Sequence, residues 1–219
     1  MIKPSVMQIS LSLFLPIAFI VKKNGKSALH VSPKKLVESP VPELEFGTYH
    51  TLSDALHQLK FTGDLQPWPD FLNVVHTTHQ SHTWHNEVLD PTLQTRDPYT
   101  YGNVEVGNEH GVRGWFYKYF GDVLDTIFTS QSKRIRFADL RCVQSTHTGT
   151  PDVILKDGNH VLKVVGELQV PWVCEHLLED ELYDVNELRN ILAQQIKYMQ
   201  MLGCVYGFLS NYEETIFLK

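Results

Sequence analysis

The chain has 219 residues, of which 42% are hydrophobic and 20% charged, and its formal net charge is −6. That composition supports one domain with a sizeable core and excludes an intrinsically disordered chain. The negative balance excludes a global attraction to nucleic acid, so any phosphate-binding surface has to be a local patch.

In chain order, residues 5–21 read "SVMQISLSLFLPIAFIV" and are followed by "KKNGK". The stretch is short for a spanning helix, which needs about 20 residues, and Pro16 interrupts it, so no stable membrane span is expected. It has the apolar run of a signal peptide but no A-x-A cleavage pattern; the alternative is a buried strand pair or helix of the fold. We expect an intracellular protein, nuclear or cytoplasmic, with secretion as the alternative if residues 1–21 direct export. This apolar segment is taken as residues 1–26.

Residues 27–104 read as an irregular elaboration, broken by Pro33, Pro40, Pro42, Pro67, Pro69, Pro91 and Pro98. One helix is expected there, at "SDALHQLKF" (53–61), capped by Ser53. "HTTHQSHTWH" spaces His76, His79, His82 and His85 by three, which walks round a helix axis instead of stacking ligands on one face. A polar loop or frayed helix is expected there, not a zinc site. Cys142, Cys174 and Cys204 show no CxxC spacing and are read as small buried apolar residues, in keeping with a reducing compartment.

The pattern sharpens from residue 105 to 219. Asn108 is a good N-cap for a helix over 108–131, with Val112, Trp115, Phe116, Tyr119, Val123, Leu124 and Ile127 on one stripe. "RIRFADLRCV" (134–143) alternates as a strand does, and "PDVILKDGNHVLKVVGELQVPW" (151–172) reads as two strands joined by a turn. A second helix over 184–203 carries Leu188, Ile191, Leu192, Gln195, Met199 and Leu202 on one side and ends at Gly203. Residues 204–210 and 215–219 close the chain as a strand pair. The order α-β-β-β-α-β-β predicts an α/β fold with a mixed central sheet flanked by helices.

Glu167 and Gln169 project to one face of their strand, and Asp152 starts the preceding one. Two carboxylates delivered by neighbouring strands to one point suit a divalent cation such as Mg²⁺. A two-residue turn at Asp157-Gly158 would set Asp152 opposite Lys163; facing Glu167 requires a reversal centred near Asn159-His160, or a bulge. Taken alone, the string reads as a turn-binding Asp152 and a solvated strand face before it reads as a metal site. Lys163 shares the parity of Glu167 and either reaches the same face or stands as a solvated lysine near the turn. "SKRIR" (132–136) and Arg141 form a basic cluster that could meet phosphate or simply line a solvated sheet edge. There is no GxSxG, P-loop, GxGxxG or HExxH pattern, so triad-hydrolase, nucleotide-binding and zincin readings have no support.

Over residues 108–219 the chain resembles the PD-(D/E)XK nuclease superfamily, in its RecB-like branch. The resemblance is carried by "PD" (151–152), "ELQ" (167–169) in place of Glu-x-Lys, and "QQIKY", which supplies Gln194 and Tyr198. "VVGELQVPW" and "LAQQIKYMQMLGCVYGFLSNYEETIFL" are also similar to uncharacterised fungal proteins with this nuclease-like core. The resemblance implies a restriction-endonuclease-like αβββαβ core and a Mg²⁺- (or Mn²⁺-) dependent nuclease acting on DNA or RNA. It implies metal binding by Asp152 and Glu167, assisted by Glu109 and the backbone carbonyl of Leu168. Catalysis would involve Asp152, Glu167 and Gln169, with Gln194 and Tyr198 in support. Gln169 departs from the pattern: an amide keeps hydrogen bonding but lacks the lysine charge. The alternative is therefore a catalytically degenerate nuclease fold that binds a protein or nucleic acid.

Overall fold

The computed structural model describes residues 6–13, 32–38, 41–51, 59–85, 105–143, 149–173, 176, 178 and 184–219. A mixed seven-stranded sheet runs through it, in the order β2-β1-β7-β6-β5-β4-β3. The strands are β1 (Val6–Leu13), β2 (Asp64–Pro67), β3 (Ile135–Ala138), β4 (Val153–Asp157), β5 (Leu162–Leu168), β6 (Tyr206–Ser210) and β7 (Glu214–Leu218). β5 pairs parallel with β6 and β1 with β2; the other pairs are antiparallel.

Helices cover both faces because the strands are apolar on both. Ile154, Val165, Leu209 and Ile216 face α5 (Val185–Ile191) and α6 (Ala193–Met201), which contribute Leu188, Ile191, Leu192, Ala193, Ile196 and Met199. On the opposite face, Val153, Leu168 and Phe208 pack with Phe116 of α3 (Glu109–Phe116). Gly166 lies beside Phe208 in the parallel pair, and a Cβ there would come within 2.2 Å of the Phe208 ring. The stripes expected on both helices are buried except for half-buried Leu124 and Leu202.

The first helix starts where its cap predicts: Asn108 Oδ1 accepts the Gly111 N–H at 3.0 Å. It is interrupted by a π turn (Tyr117–Gly121) before continuing as α4 (Asp122–Ser130). The second is broken at Leu192 and ends in a Schellman motif: Cys204 N–H reaches Met199 O at 2.8 Å and Gly203, at φ +61°, reaches Gln200 O. β3 is shorter than expected because Asp139 leads into a 3-10 turn, Leu140–Cys142.

The N-terminal part differs more. β1 lies between β7 and β2, so Val6–Leu13 pair into the same sheet, with Met7 buried; the rest of the apolar stretch lies outside the described residues. Residues 27–104 are not uniformly irregular: besides β2 they hold α1 (Pro33–Val37) and α2 (Phe71–Ser81). α2 takes the helical alternative for the first histidines of 76–85 and begins earlier, at Phe71, where no core stripe marks it; Leu72, Val74 and Val75 are exposed. The helix expected at 53–61 falls largely outside the described residues. Its last residues, Leu59–Phe61, are not helical, and Phe61 is fully buried with its N–H on Arg189 O. Of the cysteines read as buried, Cys204 is, Cys142 is exposed, and Cys174 lies outside the described residues. No helix among the described residues is long and apolar enough to cross a membrane.

Candidate metal centre

The hairpin register decides what the two strand acids can do. Val153 pairs with Gly166, Ile154 with Val165 and Leu155 with Val164; the register then slips at Leu155/Lys156 so that Lys156 meets Leu162. The slip and a wide reversal replace a two-residue turn. Asp157 Oδ1 accepts the N–H groups of Asn159 and Val161, and His160 takes a positive φ of 63°. Continuing the upper register sets Asp152 beside Glu167, the arrangement that a bulge was expected to permit.

Asp152 then turns into the sheet end. Its Oδ2 accepts the Leu168 N–H at 3.0 Å and its Oδ1 lies 3.4 Å from Arg113 Nη1. Glu109, in the first turn of α3, reaches the same point. One carboxylate oxygen each from Glu109, Asp152 and Glu167 lies within 4.8 Å of the others. Such a group could hold a metal ion: oxygens sharing one octahedral Mg²⁺ at ~2.1 Å stand roughly 3–4 Å apart, a small contraction away.

Arg113 offsets only part of the charge, and the acids of the cluster repel one another. Burial, and then the charges of Asp152 and Glu109, push the Glu167 carboxyl up to about 9, against the Asp152 N–H and Gln194. Asp152 is also raised, because burial outweighs the Leu168 N–H, Arg113 and His110. Near neutral pH Glu167 therefore keeps a proton that a divalent cation has to displace. Glu167 Oε2 is buried and accepts no hydrogen bond, whereas Oε1 accepts one from Gln194 Nε2. Gln194 also lies 3.4 Å from the Tyr198 hydroxyl, one helical turn on. Of the two residues expected to support the site, Gln194 thus bonds Glu167 directly and Tyr198 reaches it only through Gln194.

The remaining expectations divide. Leu168 engages Asp152 through its N–H. Gln169 lies just beyond the end of β5; its N–H bonds Ser210 O, and its side-chain Oε1 is buried without a partner. Lys163 does not enter the site: its Nζ is 3.0 Å from Asp157 Oδ2 at the turn, the solvated alternative. The four histidines do not converge among the described residues; His76 and His79 sit on α2, and His82 Nε2 meets Gln131 Oε1.

Three contributors were not singled out for the site from the sequence. Arg113 and Tyr117 follow Glu109 at i+4 and i+8, one helical face, and that spacing was the available signal. The Tyr117 hydroxyl lies 3.2 Å from both Ala138 O and Asp152 O, tying β3 to the start of β4. Burial, with the nearby Asp139 charge, pushes it up to about 12, so it remains a donor. The π turn widens the helix at this residue, with the Asp122 N–H returning to Tyr117 O. Gln195, on an otherwise apolar stripe, is fully buried, and its Nε2 donates to Val165 O at 2.8 Å, steadying β5 from below. Compared with protein-family models, with curated proteins and with solved structures, the chain matches none.

Proposed function

We propose that the protein is a Mg²⁺- or Mn²⁺-dependent nuclease that hydrolyses phosphodiester bonds of DNA or RNA. One observation carries the reading: three carboxylates from α3, β5 and the entry to β4 converge although they repel one another, and the buried Oε2 of Glu167 is unused. Burying like charges together costs several kcal/mol unless a cation joins them. Glu109, Asp152 and Glu167 would hold the ion, with Gln194 fixing the rotamer of Glu167 and Tyr198 bracing Gln194. A bound divalent ion supplies charge for a phosphate oxygen and lowers the pKa of water. Gln169, whose buried amide oxygen has no partner, would accept a hydrogen bond from an attacking water, and Arg113, beside Asp152, would bring the cationic charge that an amide at position 169 lacks. The resemblance to the PD-(D/E)XK superfamily adds to this reading by analogy.

The second reading, a degenerate nuclease fold that binds without cutting, is favoured by the neutral Gln169 and by Arg113 standing on Asp152, where it competes with a metal. Purified protein incubated with single- and double-stranded DNA and RNA, with Mg²⁺ or Mn²⁺ and then EDTA, decides between them. Cutting that EDTA, Asp152→Asn and Glu167→Gln each abolish supports the nuclease. Intact substrate together with calorimetric Mn²⁺ binding supports the degenerate site, and cutting that survives both substitutions removes the proposal.

A further inference from the structure

At the far end of β3 and β4 from the acids is an open cleft of about 550 Å³, lined by Thr129, Lys133, Arg134, Arg136, Lys156 and Asp157, among others. It gathers four cations on a protein whose overall charge is −6. Arg136 and Lys156 are direct cross-strand partners. Like charges in that position destabilise a sheet unless something negative sits between them. No carboxylate among the described residues ion-pairs with any of the four cations. The nearest acids are already engaged. Asp157 is taken by Lys163 and two backbone N–H groups, and Asp125, which feels Arg136 at longer range, accepts the Phe137 N–H. Lys156 Nζ meets only the His160 ring nitrogen, at 3.0 Å.

Side-chain alternation relates this cleft to the metal centre. Asp152, Ile154 and Lys156 fall on one face of β4, and Lys156 pairs with Leu162, which packs on the same core as Ile154. Four residues of strand span ~13 Å, the rise of about four base pairs along a duplex. Charged side chains on an edge strand also discourage sheet-to-sheet pairing. That role needs exposed charge but neither a cleft nor two cations held face to face.

We propose that Arg134, Arg136, Lys156 and Lys133 form a phosphate-binding subsite that grips the nucleic-acid backbone a few nucleotides from the acidic cluster. The assignment rests on the nuclease reading for the identity of the anion. The subsite positions the strand and carries no base specificity, since it offers only charge and guanidinium hydrogen bonds to phosphate.

The test is fluorescence anisotropy with labelled 20-nucleotide single strands and duplexes in EDTA, where cutting cannot interfere, over a salt titration. Wild type is compared with Arg136→Ala/Lys156→Ala, with Arg134→Ala, and with the control pair Lys34→Ala/Lys35→Ala on α1. The expected result is at least a tenfold loss for the cleft pair, a smaller loss for Arg134→Ala and none for the control. The cleft pair should also flatten the dependence of log K on log salt by about 1.4–1.8, the share of two phosphates. Melting no lower than wild type shows that the cleft pair remains folded. Equal affinities, equal losses in the control, or preference for anionic phospholipid vesicles over nucleic acid overturn the proposal. Cleft-dependent binding without cutting in Mg²⁺ keeps the subsite and removes the nuclease. Cutting and binding undiminished in the cleft pair do the reverse.

Discussion

Glu167→Gln should make the metal-free protein more stable, although the position lies in the proposed site. The carboxyl goes from 4.5 in an open chain to about 9 in the fold. The folded state therefore binds a proton that the unfolded state releases as pH passes 4.5, and stability falls as pH rises from 4.5 to 9. At pH 7.5 three pH units of linkage amount to about 4 kcal/mol. Coulomb's law gives a similar size, roughly 3–4 kcal/mol for carboxylate oxygens that lie within 4.8 Å of each other, with an effective dielectric of about 20. The strain is shared with Asp152, so the expected gain is on the order of 2–4 kcal/mol. Glutamine keeps an oxygen for Gln194 and places an N–H donor where Oε2 had no partner. Thermal melts in EDTA should rise by roughly 5–15 °C at pH 7.5, at ~2–4 °C per kcal/mol for a chain of this size, and the gain should vanish near pH 4.5. Saturating Mg²⁺ should narrow or reverse the order, because wild type gains about 2.7 kcal/mol at one hundred times Kd and the variant gains less. A variant that melts below wild type in EDTA at pH 7.5 would refute the reasoning, for it would show the carboxylate to be a satisfied structural group.

The same protonation makes metal binding pH-dependent: Mn²⁺ affinity should climb about tenfold per pH unit between pH 6 and 8, with one proton released. Calorimetry in buffers of different ionisation enthalpy counts that proton. Gly166→Ala should cost about 1–3 kcal/mol, since the new methyl would overlap the Phe208 ring in an already packed layer; urea melts measure it. Gly203→Ala should cost about 1–2 kcal/mol from the left-handed backbone alone, because the added methyl meets nothing within 4 Å; the same melts should show it with metal binding unchanged.

What the sequence by itself determined is local. Asn108 opens a helix because its side chain satisfies an end N–H, and Gly203 closes one because the turn needs a positive φ. The stripes of both helices and the two-sided apolar strands define which surfaces must be covered, and so a sheet between helix layers. Asp152, Glu167 and Glu109 were legible as candidates, but their meeting was not. It depends on a one-residue slip at Leu155/Lys156 and on where α3 docks, and both are fixed by pairing between distant segments. The tertiary structure alone decided that β1 and β2 extend the sheet, that Arg113 rather than Lys163 stands by the acids, and that Arg136 faces Lys156. Register and docking are set by which buried surfaces fit together, and spacing along a single chain does not record that fit.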